Sequence, residues 1–423
     1  MSKKHIVVVG AGFGGLQAVK KLAKNKDLNI TLIDRSNHHL FQPLLYQVAT
    51  AVLSPADIAI PSRTLTDTYP NVTVIMDEVT GIDKAYNYVI LDDRKIHYDY
   101  LILATGAQTG YFGHNEWKKY TSGLKNLTDA LQIRKRLLLS FEEAENHPER
   151  ADDLLKFIII GGGPTGVELA GSIAELSHRI IRKDFRNIDT NESEIYLIEG
   201  GADLVPTFSR ELAVYTKAQL EKRGVTVMLN TRVIDIEDKK VIVKTLDGEK
   251  TLTGNIIIWA AGVEANSFED NSGLKIDRAK RVVVNKFCSL DDHPDIFVIG
   301  DLANCTGEDG KPLPGVSAVA MQQGRYVAKT ILNDIKRKER EPFRYFFKGN
   351  MATIGRKDAI AEFKLFKLTG FFAWLAWLLV HLFYQVGFKN KVSILLTWMW
   401  SYFTFGAGAR VIQEPIHSEK GKK

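Results

Sequence analysis

The stretch "KFIIIGGGPTGVELAG", residues 156–171, decides the fold. A run rich in β-branched residues enters Gly161, Gly163 and Gly166, and an apolar stretch with helical spacing follows. β-branched residues favour strands, and G-x-G-x-x-G at a strand–helix junction is a phosphate-binding turn. The first glycine permits the tight bend, the second lets the backbone approach a pyrophosphate, and the third lets helix and strand pack closely. The opening of the chain repeats the pattern: "MSKKHIVVVGAGFGG", residues 1–15, holds Gly10, Gly12 and Gly15 in the same frame. One such triplet also fits a purely structural turn. Two, each followed by a strand that ends in an acid, predict two dinucleotide sites. Asp34 ends "ITLID" nineteen residues after Gly15, and Glu199 ends "IYLIE" thirty-three residues after Gly166. The second interval exceeds the usual ~20, and its extra residues, "HRIIRKDFRNIDTNES", read as a longer helix and loop. Carboxylates at these ends bind a ribose 2′-OH and repel a 2′-phosphate, so the second site is expected to prefer NAD(H) to NADP(H). Two sites suggest a relay, with flavin adenine dinucleotide resident in the first and NADH visiting the second.

The rest of the chain extends this echo. Residues 16–25 are expected to be a helix, "NITLID" a strand, and "HYDYLILATG" an apolar strand running into Ala104, Thr105 and Gly106. The second unit ends in "GNIIIWAAG", with Ala260, Ala261 and Gly262 in the matching places. "DIFVIGDLAN" reads as a further strand, ending at Asp301. After a "KPLPG" turn, "VSAVAMQQGRYVAKTILNDI" has helical spacing, with Ala320, Gln323 and Val327 on one face. The fold class is α/β: two Rossmann-like dinucleotide-binding domains, the second inserted in the first, plus a C-terminal amphipathic helical membrane-association region. The expected segments are 1–120 and 276–335 for the first domain, 150–275 for the second and 336–423 for the C-terminal region.

Of the 423 residues 45% are hydrophobic and 25% charged, an ordinary globular balance. Cys288 and Cys305 are the two cysteines. They cannot supply the four ligands of a common iron–sulfur cluster or Cys-based zinc site, and they form no C-x-x-C pair. His38 and His39 follow Asp34 with no second ligand cluster beside them, so no metal site is expected. The apolar run "HIVVVGAG" is too short for a secretory signal, which predicts a cytoplasmic body.

The net charge of +6 lies in the tail: residues 364–423 carry eight basic and two acidic residues, while the preceding 363 carry 48 of each. The tail also holds Trp374, Trp377, Trp398 and Trp400, four of the six tryptophans. Its basic residues flank apolar runs rather than interleave with a polar face, which points to a lipid surface and not to nucleic acid. Residues 368–388 are twenty-one residues without a formal charge, long enough to span ~30 Å of hydrocarbon. They carry His381, Tyr384 and Gln385 as a polar stripe, however, and the second run, 392–405, is only fourteen residues long. Two amphipathic helices lying in the interface fit best, with tryptophans at headgroup depth and Lys389 and Lys391 between the helices. A single span and an internal or dimer core are the alternatives.

These stretches together resemble the two-dinucleotide-binding-domain flavoproteins and, within them, the type II NADH dehydrogenases. The resemblance rests on "VVVGAGFGGL", "NHHLFQPLLYQVATAVLSPADIAIPSR", "LILATGA", "IIIGGGPTGVELAG", "IIWAAGV", "IFVIGDLA" and "PGVSAVAMQQG". "FQPLLYQVA", with Tyr46, discriminates most, because many flavin reductases share the glycine motifs. The resemblance implies NADH:quinone oxidoreduction with FAD on the cytoplasmic face of a respiratory membrane, without proton pumping. A second copy of the chain is a further candidate partner. It also implies roles. Gly10, Gly12, Gly15 and Asp34 serve the FAD pyrophosphate and ribose, Thr105 and Gly106 lie near them, and Asp301 serves the ribityl chain. Gly161, Gly163, Gly166 and Glu199 serve NADH, with Ala261 and Gly262 lining that site. Glu168 stands beside the flavin–nicotinamide stack, and Gln322 and Gln323 stand at the quinone end. Many members carry a further Gln four residues before that pair, where this chain has Ala318. On the residues alone, Glu168 on a first helical turn also fits a dipole partner, and the two glutamines fit exposed helix positions. A sulfide:quinone oxidoreductase, an NADH-dependent reductase of a soluble acceptor and a low-turnover NADH-sensing flavoprotein are the rival functions.

Overall fold

The computed structural model describes residues 3–266, 273–404 and 408–412. Phe405 and the basic residues after 412 lie outside the described residues. The chain divides into two compact units.

The first unit comprises Met1–Leu40, Ala59–Gln108 and Val263–Phe347. Its core is a five-stranded sheet whose pairings are all parallel, in the order Ile296–Val298, Tyr100–Leu103, Lys4–Val9, Leu28–Asp34 and Val72–Met76. Parallel central strands are covered on both faces, which is why "IVVV" and "LIL" read as unbroken apolar runs. The Phe13–Leu22 helix packs on the Ser317–Ile335 helix. Their backbones come so close that a Cβ on Gly324 would stand 2.1 Å from the Gly14 carbonyl oxygen. Two boundaries differ from the sequence expectation. The first helix is Phe13–Leu22 rather than 16–25, because Gly12 caps it and Gly15 already lies inside it. The strand expected to end at Asp301 stops at Val298, because Gly300 takes a φ of +72° and starts a short 3₁₀ turn.

The second unit comprises Phe41–Ile58, Thr109–Gly262 and Lys348–Lys423. Its parallel sheet runs Val225–Met228, Glu194–Ile198, Lys156–Ile160 and Ile256–Trp259. Antiparallel three-stranded sheets from 232–253 and from 350–369 accompany it. Residues 41–58, which fall in the first domain's segment in the sequence expectation, pack here: the Leu45–Ala49 helix lies against the Leu127–Asn146 and Pro164–Glu175 helices.

The tail departs furthest from expectation. Leu368 belongs to the Lys367–Thr369 strand, and the helix starts at Gly370, whose φ is +65°. That helix ends at Tyr384, with Gly387 at φ +83°. Its fifteen residues are about 22 Å long. Among the described residues no helix is long and apolar enough to cross a membrane. The second helix is Phe388–Thr404, so Lys389 and Lys391 lie in its first turn and not between helices. The polar stripe faces protein instead of lipid headgroups. Gln385 Nε2 donates to the Asp57 carbonyl at 2.8 Å, Asn390 Nδ2 to the carbonyls of Ala56 and Asp57, and Ser393 Oγ to Asp57 Oδ1 at 2.7 Å. Trp377 and Trp398 are 1% and 8% exposed, with ring centroids 5.7 Å apart, so half the tail's tryptophans are core residues. The opposite faces carry Phe372, Phe383, Trp400 and Phe403, each at least 68% exposed.

Candidate cofactor cradles and active site

The two glycine turns are the same object built twice. Gly10 has a φ of +105°, and a Cβ there would stand 2.3 Å from the Ala104 carbonyl oxygen; its counterpart Gly161 has a φ of +111°, and its Cβ would stand 2.5 Å from Ala261 Cα. Gly10 N–H donates to Ile33 O and Gly161 N–H to Ile198 O, both at 2.8 Å. Gly15 and Gly166 each press on the first glycine of their own turn, where a Cβ would stand 1.9 and 1.8 Å from its carbonyl oxygen. Gly12 and Gly163 are the reverse: a Cβ there would meet nothing within 4 Å. Each therefore borders open space at a helix N-terminus, Phe13–Leu22 in one unit and Pro164–Glu175 in the other. Free N–H groups and the helix dipole favour an anion there, so both cradles fit a dinucleotide pyrophosphate.

The two acids extend the repetition. Asp34 accepts the N–H of Ala11 and of Ser36, each at 2.7 Å. Glu199 accepts the N–H of Gly162 at 2.6 Å and of Gly201 at 2.7 Å. Each carboxylate thus clasps the middle of its own glycine turn and keeps lone pairs over for another donor. Thr105 donates to the Asn266 carbonyl at 2.8 Å, and Gly106 has a φ of +72° with open space beside it. A Cβ on Gly315 would stand 3.3 Å from the Asp301 carboxyl, so the "PGVS" turn lies against that acid. At Gly262 a Cβ would stand 2.7 Å from the Gly110 carbonyl oxygen.

Glu168 lies on the second turn of its helix, because the helix begins at Pro164; it is therefore not a first-turn dipole partner. Its Oε1 faces the Thr353 N–H at 3.5 Å, and burial pushes its carboxyl up to about 8. The unfolded carboxyl ionises near ~4.3. Between those values the folded state holds a proton that the unfolded state releases, so stability falls as pH rises from about 4.5 to about 8. In Glu168→Gln this loss is expected to disappear while the pH 4 stability changes little; thermal melts at pH 4.5, 6 and 8 check it, and parallel curves for the two proteins would refute it.

Gln323 is 1% exposed, and its Oε1 accepts the Gly300 N–H at 2.7 Å. Gln322 brackets the Phe346 backbone through its one amide: Nε2 donates to the carbonyl at 2.9 Å and Oε1 accepts the N–H at 3.0 Å. Neither is a free surface residue: both amides hold backbone of the first unit. His39 is 3% exposed. It bonds the Ala11 carbonyl at 2.8 Å. A carbonyl only accepts, so Nδ1 carries the proton, and burial pushes the ring down to about 4. Sequence reasoning also missed Gln47, whose Nε2 donates to the Tyr46 hydroxyl at 2.9 Å and whose Oε1 accepts from Trp398 Nε1 at 2.8 Å. A glutamine in the apolar run "PLLYQVA" was the available signal.

Residues 4–324 match the model of the pyridine nucleotide-disulphide oxidoreductase family, and residues 347–406 match the NDH2 C-terminal domain. With the paired cradles, the first match defines the class of protein. The sequence is 39% identical to the type II NADH:quinone oxidoreductase Ndh of Mycobacterium tuberculosis, over 97% of this chain and 91% of that one. It is 40% identical to NdhA of the same organism, over 97% and 89%. The chain belongs to the type II NADH:quinone oxidoreductases. Among solved structures, NDH2 from Plasmodium falciparum in complex with NADH shares the fold at a TM-score of 0.87 and 21% identity, covering 97% of this chain and 100% of that one. The sulfide:quinone oxidoreductase of Aquifex aeolicus shares it at 0.71 and 21%, covering 96% and 92%.

Proposed function

We infer that the protein is a flavin-dependent NADH:quinone oxidoreductase of a respiratory membrane that pumps no protons. The observation that carries this is the full-length likeness to the two mycobacterial enzymes in a chain that builds the glycine–acid cradle twice. Bound non-covalently, FAD supplies the redox chemistry, taking a hydride from NADH and giving two electrons to a quinone. The chain's own residues bind and orient. Gly10, Gly12 and Gly15 hold the FAD pyrophosphate on the Phe13–Leu22 helix, Asp34 takes the ribose, Asp301 the ribityl chain, and Thr105 and Gly106 lie alongside. Gly161, Gly163 and Gly166 hold the NADH pyrophosphate, Glu199 takes its adenosine ribose, and Ala261 and Gly262 line the site. Glu168 holds the proton at the reacting centre, and Gln322 and Gln323 fix the backbone at the quinone end. The Rossmann-like FAD domain is drawn from residues 1–120 and 276–335, less the 41–58 and 109–120 segments that pack in the second unit, with the NADH domain, 150–275, inserted in it. The exposed aromatic faces of the tail helices lie in the cytoplasmic leaflet, where a lipid-soluble quinone is met. The protein works there as a peripheral or monotopic enzyme, with a homodimer as its assembly. The sulfide-oxidising alternative needs reachable thiols, whereas Cys288 and Cys305 are 0% and 2% exposed with their Sγ atoms 3.9 Å apart.

Detergent-purified protein is expected to be yellow and to oxidise NADH on addition of a short-chain quinone. Colourless protein, or oxidation that ignores the quinone, would overturn the reading. Glu199→Gln is expected to raise the NADPH-to-NADH ratio of kcat/KM about tenfold by removing the charge that opposes a 2′-phosphate. Glutamine still accepts one of the two loop N–H bonds, so it is a cleaner test than alanine. An unchanged ratio would show that another group selects the nucleotide.

A further inference from the structure

Glu168 and Glu175 occupy one face of the Pro164–Glu175 helix. They stand seven positions apart, two turns and about 10 Å along the axis. Gly171 lies between them, and a Cβ there would stand 1.8 Å from the Ile354 carbonyl oxygen. The missing side chain lets the Asn350–Gly355 strand run directly along the helix. Backbone from that strand then meets both acids: the Thr353 N–H faces Glu168, and the Arg356 N–H donates to Glu175 Oε2 at 3.2 Å. Tyr46 is 4% exposed, and its hydroxyl lies within electrostatic reach of both carboxyls. That hydroxyl accepts from Gln47 and keeps its own proton to donate. A cavity under the tail helices, lined by Tyr46, Gln47, Glu175, Thr353 and Arg356, joins the acid end of the helix to the tyrosine.

Reduction of a quinone by NADH consumes one proton from water. NADH gives two electrons and one proton as hydride, and the quinol gains two electrons and two protons. We propose that Glu175 and Tyr46 carry this proton from cavity water to Glu168, which hands it to the forming quinol O–H. The proposal rests on the function inferred above. Glu168 gives up its proton, the Tyr46 O–H reprotonates it through a bridging water and takes a proton from Glu175 through cavity water, and solvent reprotonates Glu175. Each O–H broken is matched by one formed. The charged groups facing Glu175 are Arg356, Arg223 and Arg179; burial still outweighs them and raises its carboxyl. Glu168 faces the Thr353 N–H, and near neutral pH it has a proton to give.

The test compares two acceptors on the full-length, flavin-loaded protein. Ferricyanide takes electrons without protons, whereas a short-chain quinone needs both. Glu175→Gln keeps an acceptor for the Arg356 N–H, and Tyr46→Phe keeps the ring. In each variant quinone turnover is expected to fall about tenfold or more relative to ferricyanide turnover, with a larger solvent deuterium isotope effect on the quinone reaction. A quinone-to-ferricyanide ratio within about twofold of wild type, or an unchanged isotope effect, would overturn the relay. If the wild-type protein reduces no quinone at all, the function inferred above fails and the relay with it; if it does, the variants report on the relay alone.

Discussion

Gly161→Ala is expected to lower kcat/KM for NADH by at least about a hundredfold with every electron acceptor, while the flavin content of the purified protein stays at the wild-type level. The backbone there has a φ of +111°, which costs a non-glycine residue roughly 1–3 kcal/mol, and the new methyl would stand 2.5 Å from Ala261 Cα. Either the Lys156–Ile160 strand or residues 260–262 must then move, and the Glu199 clasp on the Gly162 N–H moves with them. About 3 kcal/mol lost from nucleotide binding is about a hundredfold in rate. Flavin is retained because the first cradle belongs to a unit with its own five-stranded sheet. Rapid mixing with NADH, followed by flavin bleaching, measures the loss directly. Bleaching at the wild-type rate would mean that NADH does not use this turn.

Trp377→Ala is expected to cost about 3–5 kcal/mol and to lower the melting temperature by roughly 10 °C or more. The ring is 1% exposed, stacks on His381 at 4.0 Å and lies 6.5 Å from the Tyr46 ring. A tail that served only as a lipid anchor would tolerate this change. By the same reasoning, removing every residue after 363 strips the cover from the Asn350–Gly355 and Asp358–Glu362 strands and from residues 46–57, and the second unit is expected to lose stability. Phe372→Ser and Phe383→Ser lie on the exposed faces, at 70% and 72%. They are expected to leave the melting temperature within about 2 °C while weakening flotation with anionic vesicles, since exposed substitutions away from special features cost little. Equal melting losses for Trp377→Ala and Phe372→Ser would show that the two faces of the helix do not differ.

Both cradles were legible in the sequence because their constraints are local. A positive-φ bend, an open second glycine and a close-packed third fall within six consecutive residues, and the acid follows at the next strand end. The α/β class followed from the same alternation of apolar strands and helices. What the sequence left undecided depends on residues far apart in the chain. It shows a polar stripe at His381, Tyr384 and Gln385, but a stripe at helical spacing turns equally well to headgroups or to protein. The approach of Asp57, more than three hundred positions earlier, turned Gln385 inward. The bounds of the tail helices were hidden for a related reason: Leu368 pairs with Ala361 in a sheet, which no apolar count distinguishes from a helical turn. Glu175 reads as an ordinary helix-end acid until Gly171 admits the strand that brings Arg356 to it. Local backbone chemistry is written in contiguous residues and was determined by the sequence alone. Burial, and the choice of partner for each buried polar group, is set by which distant segments share the core, and tertiary structure alone decided it.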